Sequence, residues 1–183
     1  MRRILSVAFV ASAMFAGALI AAELKSGLQP GDDIPAYNVR DITGPSEGKT
    51  LCYRCKYGAR PVVNIFAREM TPEVVALVKQ IDELVGKNDE KKMAAFVTLL
   101  TNDPDKDEAK LKEIAKKEGL KNVPLTVFDG VAGPEGYKIA EKANLTVTMW
   151  TDNDVKASHA FAKGEYKASN AKAIIEDTKK ILN

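Results

Sequence analysis

Histidine and cysteine are nearly absent from this chain. His159 stands alone, and Cys52 and Cys55 are the only cysteines in 183 residues. A zinc site takes four ligands, so these residues cannot complete a cysteine/histidine site within one chain. Only two chains pairing their CxxC loops would supply four thiolates. With one histidine, no Ser/His/Asp arrangement is visible by spacing. Charge of one sign is missing too. There are 27 basic and 25 acidic residues, and Arg2 and Arg3 account for the difference. Nothing in that balance points to nucleic acid. No internal repeat and no low-complexity stretch follows residue 22.

The one long apolar run is N-terminal. Arg2 and Arg3 precede an apolar stretch from Ile4 to Ala22, and Ala21 and Ala22 offer a small-residue cleavage site. Residues 1–22 are read as a signal peptide, so the mature chain is expected to be exported, periplasmic or secreted, and free of the membrane after cleavage. An uncleaved anchor is the other reading, since about 19 residues can just span a bilayer. No cysteine lies at the end of the run, which argues against a lipoprotein. An exported chain sits where disulfides persist.

The rest alternates between strand and helix patterns. Pro30, Gly31 and Pro35 break regular structure in the lead-in. A strand is expected over residues 37–42, and residues 43–60 read as a loop or hairpin. Val62-Val63-Asn64-Ile65-Phe66-Ala67 reads as a short buried strand. Thr71 caps the next helix, Pro72 suits its first position, and Glu73 complements its dipole. Val74, Leu77, Val78 and Ile81 give that helix an apolar face, and Gly86 is expected to end it. Residues 95–100 form a second buried strand. Asp103-Pro104 opens a second helix, which Gly119 stops. A strand over 123–128, a short helix over 135–143, a hairpin of 145–150 with 156–162 and a last helix over 168–182 complete the order. Such alternation predicts an α/β fold, and the closing hairpin makes the sheet mixed.

Cys52-Tyr53-Arg54-Cys55 is the motif that carries chemistry. Two intervening residues bring both sulfurs to one turn, which suits reversible disulfide formation. Arg54, Lys56 and Arg60 lie within or beside the pair, and positive charge favours a thiolate. Tyr53 and Tyr57 could form a docking surface for an extended substrate. The competing reading is a structural disulfide, although so small a loop restricts the unfolded chain little. Haem attachment usually takes CxxCH, and here Lys56 follows. No metal and no cofactor is expected.

Other candidates have plainer readings. His159 could move a proton, but one strand histidine suits packing better. Arg68 and Glu69 could bind an anion or form a surface ion pair. Asp103, Asp105, Asp107 and Glu108 lack the glycine and terminal glutamate of a calcium loop and suit a helix N-terminus. Trp150 is expected in the core or at a sheet edge.

The element order resembles the thioredoxin-like superfamily. Within it the chain looks most like the redoxin branch: peroxiredoxins of the alkyl hydroperoxide reductase type and exported thiol–disulfide reductases. The resemblance covers residues 28–183. It rests on the order of elements, on Pro30-Gly31-Asp32-Asp33-Ile34-Pro35 and on Gly48-Lys49 ahead of the core strand. It implies a thioredoxin-like mixed sheet with helices on both faces and an N-terminal β extension. Residues 23–60 would be the extension and CxxC loop, forming a single domain with a core of 61–183. In these families the reactive cysteine follows the first core strand, at a helix N-terminus. This chain has Thr71-Pro72 at that step, and a threonine hydroxyl cannot reduce peroxide at neutral pH. The CxxC lies before the core strand, so it is expected at the end of the sheet opposite Thr71. The expected function is thiol–disulfide exchange through Cys52 and Cys55 with a protein partner, Cys52 attacking first by analogy with ordinary CxxC sites. The alternative is an inactive thioredoxin-fold binding module.

Overall fold

The computed structural model describes residues 24–183, so the signal-peptide reading of residues 1–22 lies outside it. Its strands are β1 (Val39–Asp41), β2 (Thr50–Leu51), β3 (Val62–Ala67), β4 (Ala94–Thr101), β5 (Leu125–Asp129), β6 (Ala143–Thr151) and β7 (Asp154–Ala162). They form one sheet in the order β2-β1-β5-β4-β3-β6-β7. The pairs β3/β4 and β4/β5 are parallel, and the other neighbours are antiparallel. The extension therefore enters the same sheet as the core.

Every residue of β3 and β4 is buried, as central strands covered on both faces require. The pleat sends Val63, Ile65 and Ala67 to one face and Val62 and Phe66 to the other. The helices are α1 (Tyr53–Tyr57), α2 (Pro72–Lys87), α3 (Pro104–Glu118), α4 (Ala168–Asp177) and α5 (Lys179–Leu182). Crossovers from β3 to β4 and from β4 to β5 step the same way across the sheet. Right-handed connections then place α2 and α3 on one face. Leu77, Ile81, Leu111, Ile174 and Ile181 join Val63 and Ile65 there. Each such side chain contributes roughly 1.5–3 kcal/mol through burial. The second face is covered by α1, the lead-in and a 3-10 turn at Glu135–Tyr137, with Ile34, Tyr53, Tyr137 and Trp150 among the residues packed on Phe66 and Phe96.

Local chemistry sets most boundaries. Thr71 Oγ1 accepts from Val74 N at 3.4 Å, with Pro72 next, so α2 starts where a capping threonine predicts. Asp103 caps α3 through Lys106 N, and Gly119 at φ 67° ends it. The acidic run around residue 105 is thus a helix start, as expected.

Four expectations need correction. The helix α2 runs through Gly86 to Lys87, and Asn88 closes it by bonding back to Leu84 O. Gly86 is small for a different reason: a Cβ there would lie 3.0 Å from Asn122 Nδ2. The helix expected over 135–143 is only the 3-10 turn. Tyr137 is fully buried there and donates to Pro35 O at 2.9 Å, so packing against the lead-in overrides local helix preference. The C-terminal helix breaks at Thr178, whose hydroxyl donates to Ile175 O at 2.6 Å. Residues 43–60 are not all loop, since they hold β2 and α1.

Candidate functional site

The helix α1 forms around the cysteine pair itself. Cys52 is its N-cap, and its sulfur accepts from Cys55 N at 3.0 Å. Lys56 N donates to Cys52 O at 3.0 Å, and Gly58 at φ 60° stops the turn. The two sulfurs form a disulfide, with the Cα atoms 5.2 Å apart. Cys55 is exposed and Cys52 half-buried.

The buried side of α1 is clamped to the sheet. Tyr53 and Tyr57, four residues apart, share one side of the helix. The Tyr53 ring stacks on Phe96 with centroids 5.1 Å apart, and the Tyr57 ring lies 6.1 Å from Phe96. Tyr53 OH donates to Asp41 Oδ2 at 2.8 Å. Asp41 is fully buried and also accepts from Gly44 N at 2.7 Å and Ser46 N at 2.8 Å. Burial, and then the Asp41 carboxylate, push the Tyr53 hydroxyl well above its ordinary value. It therefore remains a donor at neutral pH.

These contacts change two readings. The tyrosines are not a docking surface, because Tyr53 is buried and Tyr57 half-buried under α1. The three neighbouring cations also have partners of their own. Arg54 Nε donates to Ile34 O at 3.1 Å, Arg60 Nε to Lys92 O at 2.6 Å, and Lys56 Nζ lies 5.6 Å over the Tyr53 ring. Among the described residues the one hydrogen bond to either sulfur comes from a backbone N–H, that of Cys55.

At the other candidate position, Thr71 caps α2 beyond the end of β3. The sheet separates it from α1, since α2 packs on the first face and Tyr53 on the second. Arg68 and Glu69 do not pair with each other. Arg68 donates to Val131 O and Ala140 O, and Glu69 pairs with Lys163. A small cavity of about 80 Å³ lies here, lined by residues that include Thr71, Glu73, Asn144 and Tyr166. Burial, aided by Glu73, pushes the Tyr166 hydroxyl up to about 12. Replacing Thr71 with alanine should cost about 1 kcal/mol through the lost cap. Thermal unfolding checks the cost, and thiol chemistry at the pair should not change.

The remaining candidates are structural. His159 Nε2 lies 3.1 Å from Asp177 Oδ2, linking β7 to the end of α4, and Lys180 shares the same carboxylate. Trp150 is fully buried, its ring edge-on to Phe96 at 6.3 Å. Among the described residues no group of three or more His, Cys, Asp or Glu side chains is placed to hold a metal ion. No helix among them is long and apolar enough to cross a membrane.

Neither a protein-family model nor a curated protein matches the chain. Solved structures do. A Chlorobium tepidum protein assigned as thiol:disulfide interchange protein DsbE matches at TM-score 0.64 and 12% identity, over 85% of this chain and 99% of that one. A Bacteroides thetaiotaomicron protein assigned as a protein disulfide isomerase matches at TM-score 0.63 and 12% identity, over 86% and 92%. Peroxidoxin BcpB from Mycobacterium tuberculosis matches at TM-score 0.59 and 18% identity, over 85% and 99%. The fold is thioredoxin-like, of the redoxin type. Identities this low carry the fold and leave function to the site.

Within this redoxin fold, sequence reasoning missed the two groups that hold α1. Phe96 reads as one more strand hydrophobe. Asp41 falls inside the strand expected over residues 37–42, with nothing to mark it as buried. The only available signal was a carboxylate at a strand end with small residues after it.

Proposed function

We propose that this chain is an exported thiol–disulfide exchange protein in which Cys52 and Cys55 cycle between dithiol and disulfide. The observation that carries the reading is the disulfide on the outer side of α1, with Cys55 exposed to solvent. A partner thiolate attacks one sulfur, forms a mixed disulfide and expels the other as a thiolate. A second thiolate then attacks the partner's sulfur in that mixed disulfide and releases the protein dithiol. Two electrons pass to the protein and the partner thiols leave as a disulfide. The partners are proteins bearing thiols or disulfides, and the cycle needs no metal or cofactor. The neighbours assigned as interchange and isomerase proteins are consistent with this chemistry. Residues 23–60 and 61–183 act in it as one domain, and export through residues 1–22 supplies the oxidising compartment. Peroxide reduction is not part of the proposal, because Thr71 has no thiol.

A second reading has its own support. Tyr53, Asp41 and Phe96 already fix α1, so the disulfide could be an inert staple on a binding module. The reduction potential decides. Purified protein equilibrated with glutathione, with its thiols then trapped and weighed, should give a value between about −120 and −270 mV. A value below about −300 mV would mark a structural bond. In that case Cys→Ser changes should affect stability alone.

A further inference from the structure

We infer that exchange enters this disulfide at Cys55 and that Cys52 is the leaving thiolate, the reverse of the order expected from ordinary CxxC sites. The inference rests on the exchange reading above and assigns the roles within it. Two independent features point the same way.

The first is access. Tyr53 and Tyr57 turn the buried side of α1 to Phe96, which leaves Cys55 and Lys56 on the outer side, both exposed. Cys52 is half-buried at the junction between β2 and α1. A thiolate attacks a disulfide along the S–S axis, from beyond the sulfur it bonds. Cys55, as the exposed member of the pair, is the more open to such an approach, and half-buried Cys52 the less.

The second is the leaving group. Cys52 Sγ accepts the Cys55 N–H at 3.0 Å. That bond favours the thiolate over the thiol at Cys52. A thiol of lower pKa also leaves faster from a disulfide. Among the described residues no donor bonds to the Cys55 sulfur. Access and leaving-group chemistry therefore select the same sulfur for attack.

The steps balance. A partner thiolate RS⁻ bonds to Cys55 Sγ, the Cys52–Cys55 bond breaks, and its electron pair stays on Cys52 as a thiolate. A second partner thiolate attacks the R sulfur and releases Cys55 as a thiolate, giving RSSR. In the reverse direction the Cys55 thiolate attacks RSSR and releases RS⁻, and the Cys52 thiolate then attacks Cys55 Sγ, reforming the Cys52–Cys55 bond and releasing the second RS⁻.

The test is to map the first mixed disulfide. Oxidised full-length protein is mixed with excess reduced glutathione and quenched in acid at short times. The freed thiol is then alkylated and the peptides are weighed. Glutathione should sit on Cys55 and the alkyl group on Cys52, in at least about tenfold excess over the opposite pattern. Glutathione on Cys52, or an even split, overturns the assignment. The reduced protein provides a second reading. The pH midpoint for alkylation of Cys52 should lie below that of Cys55, and equal or inverted midpoints also overturn it. Both measurements can be forced with excess reagent even if the potential lies below about −300 mV. Failure of the exchange reading and failure of this assignment are therefore distinguishable.

Discussion

Replacing Phe96 with alanine should lower the unfolding free energy by about 3–5 kcal/mol. Phe96, the third residue of β4, is fully buried, and its ring meets Tyr53, Tyr57, Tyr37 and Trp150. The variant should also loosen α1, whose two tyrosines both rest on this ring. Urea unfolding gives the first number, and Trp150, the sole tryptophan, gives a fluorescence report from the same cluster. Exchange at Cys52–Cys55 should change along with it. By contrast, removing the disulfide frees only a very short loop and should cost far less. A loss of under about 1 kcal/mol for Phe96→Ala would show that α1 stands without the sheet beneath it.

Replacing Asp41 with alanine should cost about 3 kcal/mol or more. The carboxylate is fully buried, and its loss strands the N–H groups of Gly44 and Ser46 together with the Tyr53 hydroxyl. The buried Tyr53 hydroxyl would carry its full desolvation penalty and the half-buried N–H groups of Gly44 and Ser46 part of theirs. Tyr53→Phe alone removes one of these donors with its partner's third bond and should cost about 1–2 kcal/mol. Combining the two changes should cost less than their sum, because both remove the same hydrogen bond. Additive losses in a double-mutant cycle would mean that the Tyr53–Asp41 bond does not couple α1 to the 41–46 turn. The cycle run on oxidised and reduced protein would further show whether the clamp depends on the disulfide.

The central strands and long helices were legible from residue pattern. Val62–Ala67 appears as predicted, since six apolar-rich residues between Pro61 and a polar turn admit little else. The two long helices begin where Thr71-Pro72 and Asp103-Pro104 place them, because caps are local chemistry. The missed elements depend on distant partners. Tyr137 takes its place from Pro35, far away in sequence, and so no helix forms over 135–143. The helix α1 is too short to hold itself together and exists through Cys52, Phe96 and Asp41.

The sequence by itself determined the α/β class, the mixed sheet and the absence of a cysteine at position 71. It also determined that Cys52 and Cys55 can close one turn, because spacing sets how near two sulfurs can come. Only the tertiary structure decided which side of that turn faces water. Packing against Phe96 buries the tyrosines that look available in the sequence and leaves Cys55 outermost. Of the neighbouring cations, Arg54 and Arg60 are drawn to carbonyls of the lead-in and of the turn before β4, and Lys56 lies over the Tyr53 ring, because those partners lie within reach and the sulfurs compete poorly for them.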